Sequence, residues 1–274
     1  MRKAGDGRMM GRVGITLATG LILALVACGR PATRLEGGPA LTALPGRINF
    51  DDARPHDFGR HGPHRYPVHG IDVSRYQTQI DWPVARDNGV GFAFIKATEG
   101  GENLDPMFRD HWSGAAAAGV PRGAYHFYYH CRPAAEQARW FINNVPRAAG
   151  ALPPVLDIEW TPFSPTCTLR PPAAEVRAEA QTFLAIVARH YGQRPIIYTS
   201  IDFYRDNQLW KVDGADFWLR SVAGHPDKIY DGQNWTFWQY TGTGLVPGIP
   251  GKADINTFAG SRSEWASWLQ NRQL

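Results

Sequence analysis

From residue 68 to the C-terminus the chain repeats one texture: short β-branched and aromatic runs alternate with stretches of helical periodicity. The runs at 68–74, 91–98, 122–129, 154–159, 195–199, 216–221, 236–240 and 254–258 read as strands. Between and after them, 105–118, 133–145, 172–191, 202–209 and 263–269 read as helices. The clearest is 172–191, where Val176, Phe183, Leu184, Val187 and Tyr191 lie on or near one stripe. Strand and helix in alternation require a parallel sheet whose crossovers lie outside it, and closing that sheet is the most economical way to bury both faces. The expected fold is therefore α/β, an irregular TIM-like (β/α) barrel in a single domain, with fewer good helices than strands because the later units are short. At 274 residues and 43% hydrophobic the chain can bury such a core. No internal repeat or second domain is evident over 68–274.

The residues before the barrel have other compositions. Arg2, Lys3, Arg8 and Arg12 precede the apolar run 13–27, which has signal-peptide length and is short for a membrane span. The run ends Leu25-Val26-Ala27-Cys28 and resembles the lipobox of bacterial lipoproteins, which implies cleavage before Cys28 and lipidation of its sulfur. We therefore expect residues 1–27 to be removed and the protein to be exported and membrane-anchored, facing the periplasm or cell wall. Residues 28–67, rich in Pro, Gly and Arg without an apolar period, read as a tether. Removing the leader takes away four of the 29 basic and one of the 25 acidic residues, leaving 25 against 24. The formal charge falls from +4 to +1, so nucleic acid is not an expected partner. With Cys28 as the anchor, Cys131 and Cys167 remain, and an oxidising compartment favours their pairing, worth about 3 kcal/mol. Two thiols without zinc-type His spacing do not suggest a metal site.

In a parallel barrel, functional groups collect at the C-terminal ends of strands, and here those ends are polar. Asp157 and Glu159, in Leu156-Asp157-Ile158-Glu159-Trp160, lie two apart on a strand and so point to one side, about 6.5 Å apart. Like charges so placed disfavour each other's ionisation, which suits chemistry needing one protonated acid beside a charged one. A solvated strand end or a cation site remains open from these five residues alone. Asp72 ends the first strand, Lys96 and Glu99 the second, and Asp254 opens the eighth.

Taken in order, Gly70-Ile71-Asp72-Val73-Ser74, Phe94-Ile95-Lys96-Ala97-Thr98-Glu99-Gly100, Gly123-Ala124-Tyr125-His126-Phe127-Tyr128, Leu156-Asp157-Ile158-Glu159, Ile196-Ile197-Tyr198, Phe237-Trp238-Gln239-Tyr240 and Asp254-Ile255-Asn256-Thr257-Phe258 resemble the family 25 glycoside hydrolases, lysozyme-type N-acetylmuramidases. The resemblance covers about 68–260. It implies an irregular α/β barrel that cleaves the β-1,4 bond after N-acetylmuramic acid in peptidoglycan glycan strands, with retention of configuration and without a cofactor. Position by position, it makes Glu159 the general acid and base and Asp157 the residue that orients and stabilises the acetamide. Asp72 and Asp254 become the two further carboxylates. The physics agrees: neighbouring carboxylates keep Glu159 protonated, while an ionised Asp157 faces positive charge developing on the sugar.

Adjacent carboxylates on one strand favour retention. Whether Asp157 or the acetamide meets the anomeric carbon is open in the sequence, and substrate assistance is the expectation. Sugar contacts are expected from Tyr125, Tyr198, Trp238 and Gln239, although barrel packing would use the same aromatics. Lys96 screens the acids or is a plain strand-end cation, and Glu99 braces a loop. His126 reads as a satisfied interior residue. The sixth strand departs from the family at Arg220 and Ser221, where many members carry a small residue and then an aromatic. Arg220 could hold an acidic group of the substrate or pair with Asp254. The expected state is a monomer. Two competing readings stay open: a wall-binding lipoprotein on the same barrel without activity, and a metal-dependent enzyme using the four acids as oxygen ligands.

Overall fold

A computed structural model of the protein describes residues 44–272; the leader and Cys28 lie outside them. The order begins β1 (Asp51–Asp52), β2 (His69–Val73), α1 (Trp82–Asp87), β3 (Val90–Glu99), β4 (Asn103–Leu104), α2 (Phe108–Ala117) and β5 (Arg122–Phe127). It continues with α3 (Ala134–Asn144), β6 (Val155–Asp157), α4 (Ala173–Tyr191), β7 (Ile196–Thr199) and α5 (Ile201–Asp206). The last elements are β8 (Asp216–Arg220), α6 (Pro226–Ile229), β9 (Phe237–Leu245), β10 (Ala253–Phe258) and α7 (Arg262–Arg272).

Eight strands close a barrel in the order β2, β3, β5, β6, β7, β8, β9, β10 and back to β2. Every neighbour pair from β2 round to β9 is parallel. The last strand differs from the all-parallel expectation: β10 runs antiparallel to both β9 and β2. Its reversal decides where Asp254 lies. On a parallel strand the first residues would sit at the floor of the barrel; on this one they reach the rim, where Asp254 pairs across from Asp72.

Strand alternation sorts the side chains into two apolar layers. Phe92, Phe94, Val155, Ile196, Trp218, Phe237 and Phe258 fill the interior, and Trp265 of α7 packs with them. Ile71, Ile95, Ala97, Leu156, Ile197 and Leu219 face the other way, toward Phe141 of α3 and Val176, Phe183 and Val187 of α4. Gly70 faces inward, where a Cβ would collide with the carbonyl and ring of Phe92. His126, on the outward face, bonds Thr98 at 2.7 Å and Gln137 at 3.0 Å and stacks on Phe183, and burial pulls its pKa down to about 4.

Residues 44–67 are not free of the barrel, in contrast to the tether reading. β1 pairs with the end of β9, Phe50 packs on the outer layer, and Phe58 meets Trp238 edge-on at 5.1 Å. Tyr66 bonds His225 at 3.0 Å, and its carbonyl meets the His69 ring at 2.7 Å. The physical reason is the β9–β10 hairpin. Among the described residues no crossover helix connects β9 to β10, and the N-terminal segment covers that flank in its place.

Candidate active site

The acids converge because each lies on the inward side of its strand at the rim end of the barrel. Asp72 and Asp157 follow Gly70 and Val155 on the inward faces of β2 and β6, while Glu159 lies just beyond β6, where Ile158 still bonds the Tyr198 carbonyl at 3.0 Å. Asp254 enters from the reversed β10. With Lys96, Tyr125, Tyr198 and Trp218 they line a cleft of about 480 Å³ across the barrel mouth. Among the described residues, no group of three or more His, Cys, Asp or Glu side chains is arranged to hold a metal ion.

Burial dominates the electrostatics. It raises the pKa of Asp157 well above the carboxylate range, and the charge of Glu159 adds to it. Burial likewise raises Glu159, while Arg220 and Lys96 pull it back and Asp72 pushes it up. Asp254 is pushed up to about 8 by burial, then by the charge of Asp72 and a hydrogen bond with it. Asp72 is also raised by burial, but Nδ2 of Asn256 donates to its Oδ2 at 2.8 Å and Nε2 of Gln239 at 2.9 Å, which favour its charged form. Protons are thus held within the cluster in the neutral range. Asp157 is held well above the carboxylate range, unlike the ionised state read for it from the sequence; its Oδ1 is buried without a hydrogen-bond partner among the described residues.

The other residues singled out in the sequence separate clearly. Tyr125 and Tyr198 line the cleft. Gln239 does not, because it lies behind Asp72: it donates to that carboxylate and accepts from Tyr198 at 2.9 Å. Trp238, one residue earlier, points out of the barrel and is fully buried, donating to the Ser221 carbonyl at 2.7 Å beneath Phe58 and Tyr66. Lys96 bonds Glu99 at 2.6 Å and sits 4.6 Å over the Phe127 ring. Tyr129 donates to the other Glu99 oxygen. Arg220 has no carboxylate within ion-pair distance among the described residues, Asp254 included. Its charge still reaches Asp72, Glu159 and Asp254.

Sequence reasoning passed over Trp218 and Asn256. Trp218 packs on Tyr198 at 4.6 Å and donates to Asn256 Oδ1 at 2.7 Å, so the bonds run Trp218–Asn256–Asp72–Gln239–Tyr198. The signal was present, since Asn256 lies two residues from Asp254 and Trp218 two from Arg220. Cys131 and Cys167 form a disulfide with Cα atoms 5.8 Å apart, joining the loops after β5 and β6 beside Glu159.

The sequence model of Glycosyl hydrolases family 25 matches residues 71–249. This chain belongs to glycosyl hydrolase family 25. It is similar to the uncharacterized protein YegX of Escherichia coli K12, with 39% identity over 229 residues and 81% of each chain covered. It is 34% identical to Lysozyme M1 of Streptomyces globisporus over 215 residues, covering 74% of this chain and 72% of that protein. The structure of a family 25 glycosyl hydrolase from Bacillus anthracis superposes with a TM-score of 0.71 at 33% identity, covering 79% of this chain and 98% of the other. As a family 25 member the protein is a glycoside hydrolase, and its cleft carries the acids that such chemistry needs.

Proposed function

We propose that this glycoside hydrolase cleaves the β-1,4 bond between N-acetylmuramic acid and N-acetylglucosamine in peptidoglycan, with retention of configuration. The observation that carries the reading is the Asp157–Glu159 pair on one strand end, raised by burial and flanked by Asp72 and Asp254. Similarity to Lysozyme M1 supports the substrate class.

In the reaction, Glu159, kept protonated by burial, gives its proton to the leaving glycosidic oxygen. The substrate's acetamide oxygen attacks the anomeric carbon as that bond breaks, forming an oxazolinium ring. The unpartnered Oδ1 of Asp157 is suited to accept the acetamide N–H, and once Asp157 has released its proton to solvent on substrate binding, its charge is stabilised by the positive charge growing on the ring. Water, deprotonated by Glu159, then opens the ring from the same face as the departed sugar, and Glu159 regains its proton. Asp72, held by Asn256 and Gln239, positions Asp254 and faces the same sugar.

The test is incubation of purified peptidoglycan with wild type and Glu159→Gln, with products read by mass spectrometry and the first-formed anomer by NMR. Wild type should release reducing muramic acid ends as the β-anomer, and Glu159→Gln should be slower by about a thousandfold. Binding without cleavage by both proteins would instead mark a wall-binding lipoprotein, and an accumulating glycosyl ester on Asp157 would replace substrate assistance with direct attack.

We also propose that the protein is exported and anchored through lipidated Cys28. The basic residues before 13–27 and the Leu25-Val26-Ala27-Cys28 sequence support this. Incorporation of a fatty-acid analogue should vanish in Cys28→Ser; undiminished labelling would exclude the anchor.

A further inference from the structure

Two aromatic rings on the cleft have no place in the mechanism above. Phe163 is 96% exposed and Tyr76 74%, and both line the cleft that holds the carboxylates. Tyr76 follows β2 and Phe163 follows β6, three strands apart round the barrel, so the rings stand on well-separated parts of the rim. An exposed ring by itself is ordinary. These two are distinguished by the rigidity of the turns that present them.

The Phe163 turn is closed at several points. Ser164 N–H donates to the Thr161 carbonyl at 3.1 Å, the Thr161 hydroxyl donates to the Cys167 carbonyl at 2.6 Å, and Cys167 N–H donates to Ser164 Oγ at 3.1 Å. Pro162 and Pro165 restrict the backbone on either side, and the bridge from the buried Cys167 to Cys131 ties the loop to the one that follows β5. The turn carrying Tyr76 is closed reciprocally by Ser74 and Gln77. It is also tied outward: Arg75 N–H donates to Asp105 at 3.0 Å and Gln77 to the Lys252 carbonyl at 3.0 Å. Such turns hold the backbone beneath each ring in place, so little backbone entropy is lost when a flat ligand covers it; Arg75, which donates to the Tyr76 hydroxyl and lies 5.1 Å over that ring, leaves its other face open.

The carboxylates act on one glycosidic bond, and a glycan strand crossing the mouth continues past them. The apolar faces of its pyranose rings are the surfaces that an exposed aromatic ring accepts. We propose that Phe163 and Tyr76 are stacking platforms for pyranose rings of a β-linked N-acetylhexosamine chain away from the scissile bond. They select long glycan strands over short fragments. The inference rests on the glycan-hydrolase reading, and it assigns the disulfide a role in substrate length selection.

The test compares kcat/KM on a tetrasaccharide and an octasaccharide of defined peptidoglycan glycan. Phe163→Ala should lower the octasaccharide-to-tetrasaccharide ratio about tenfold, chiefly through KM, with a smaller fall for Tyr76→Ala. Phe163→Tyr should restore the ratio, whereas Phe163→Leu, apolar but without a ring face, should not. A ratio that stays at the wild-type value in both alanine variants, or one that Leu restores as well as Tyr, overturns the proposal. If wild type cleaves neither oligomer, the hydrolase reading fails, and calorimetry of octasaccharide binding judges the platforms separately: weaker binding by Phe163→Ala supports them and equal affinity overturns them.

Discussion

Asp254 should make the protein less stable as pH rises, and replacing it by Asn should remove that loss. In the unfolded chain this carboxyl ionises near its ordinary 3.8, whereas burial and the neighbouring Asp72 hold it protonated in the folded protein up to about 8. Between those values the folded state binds the extra proton, so stability is full below about pH 4, falls through the interval and levels off above about pH 8. The gap is worth at most about 6 kcal/mol. Part of it is returned because Asp254 and Asp72 share the proton, so an observed loss of about 2 to 4 kcal/mol between pH 5 and 9 is expected. Asp254→Asn keeps the shape and a donor toward Asp72 but cannot ionise. Urea unfolding at pH 5, 7 and 9 measures both proteins, and the variant should be the more stable at pH 9 by about that amount. Parallel pH dependences in the two proteins would refute the reasoning, because the titrating group would then lie elsewhere.

Two further outcomes follow from the same site. Arg220 holds the pKa of Glu159 down, so Arg220→Met should move the alkaline limb of the kcat/KM profile to higher pH, where Glu159 loses its proton; a stationary or acid-shifted limb would show that Arg220 does not act on Glu159. Replacing Cys131 and Cys167 together by Ser removes a closure across 36 residues, which should cost about 3 to 4 kcal/mol by chain entropy. Equal denaturation midpoints under non-reducing conditions would contradict that estimate.

The sequence exposed the parts of this molecule that depend on periodicity. The strands leading to Asp72, Asp157 and Tyr198 are legible as short β-branched runs, apolar on both faces until a polar or aromatic residue ends the inward one. Alternation also holds the answer for Trp238 and Gln239: adjacent residues cannot share a face, so if Gln239 reaches Asp72, Trp238 must point outward. Strand direction is different, because an antiparallel strand has the same period as a parallel one, and only the short connection from β9 to β10 hints at the reversal of β10. Residues 44–67 carry no period at all, since they cover a flank with isolated contacts from Phe50, Phe58 and Tyr66. Phe163 was invisible for a further reason: an exposed ring in a Pro-rich loop becomes conspicuous only once its neighbours are placed.

The segment over the β9–β10 hairpin also sets where the chain can be shortened. A protein begun at Val68, the first residue of the periodic pattern, would keep every catalytic carboxylate and still lose β1 and the cover over Trp235 and Trp238. The bared surface would be an aromatic stripe beside a strand, a surface prone to self-association. A well-behaved shortened enzyme therefore keeps the chain from Phe50 onward, and a protease cut near Arg60 or Arg65 would harm solubility before it harmed the chemistry.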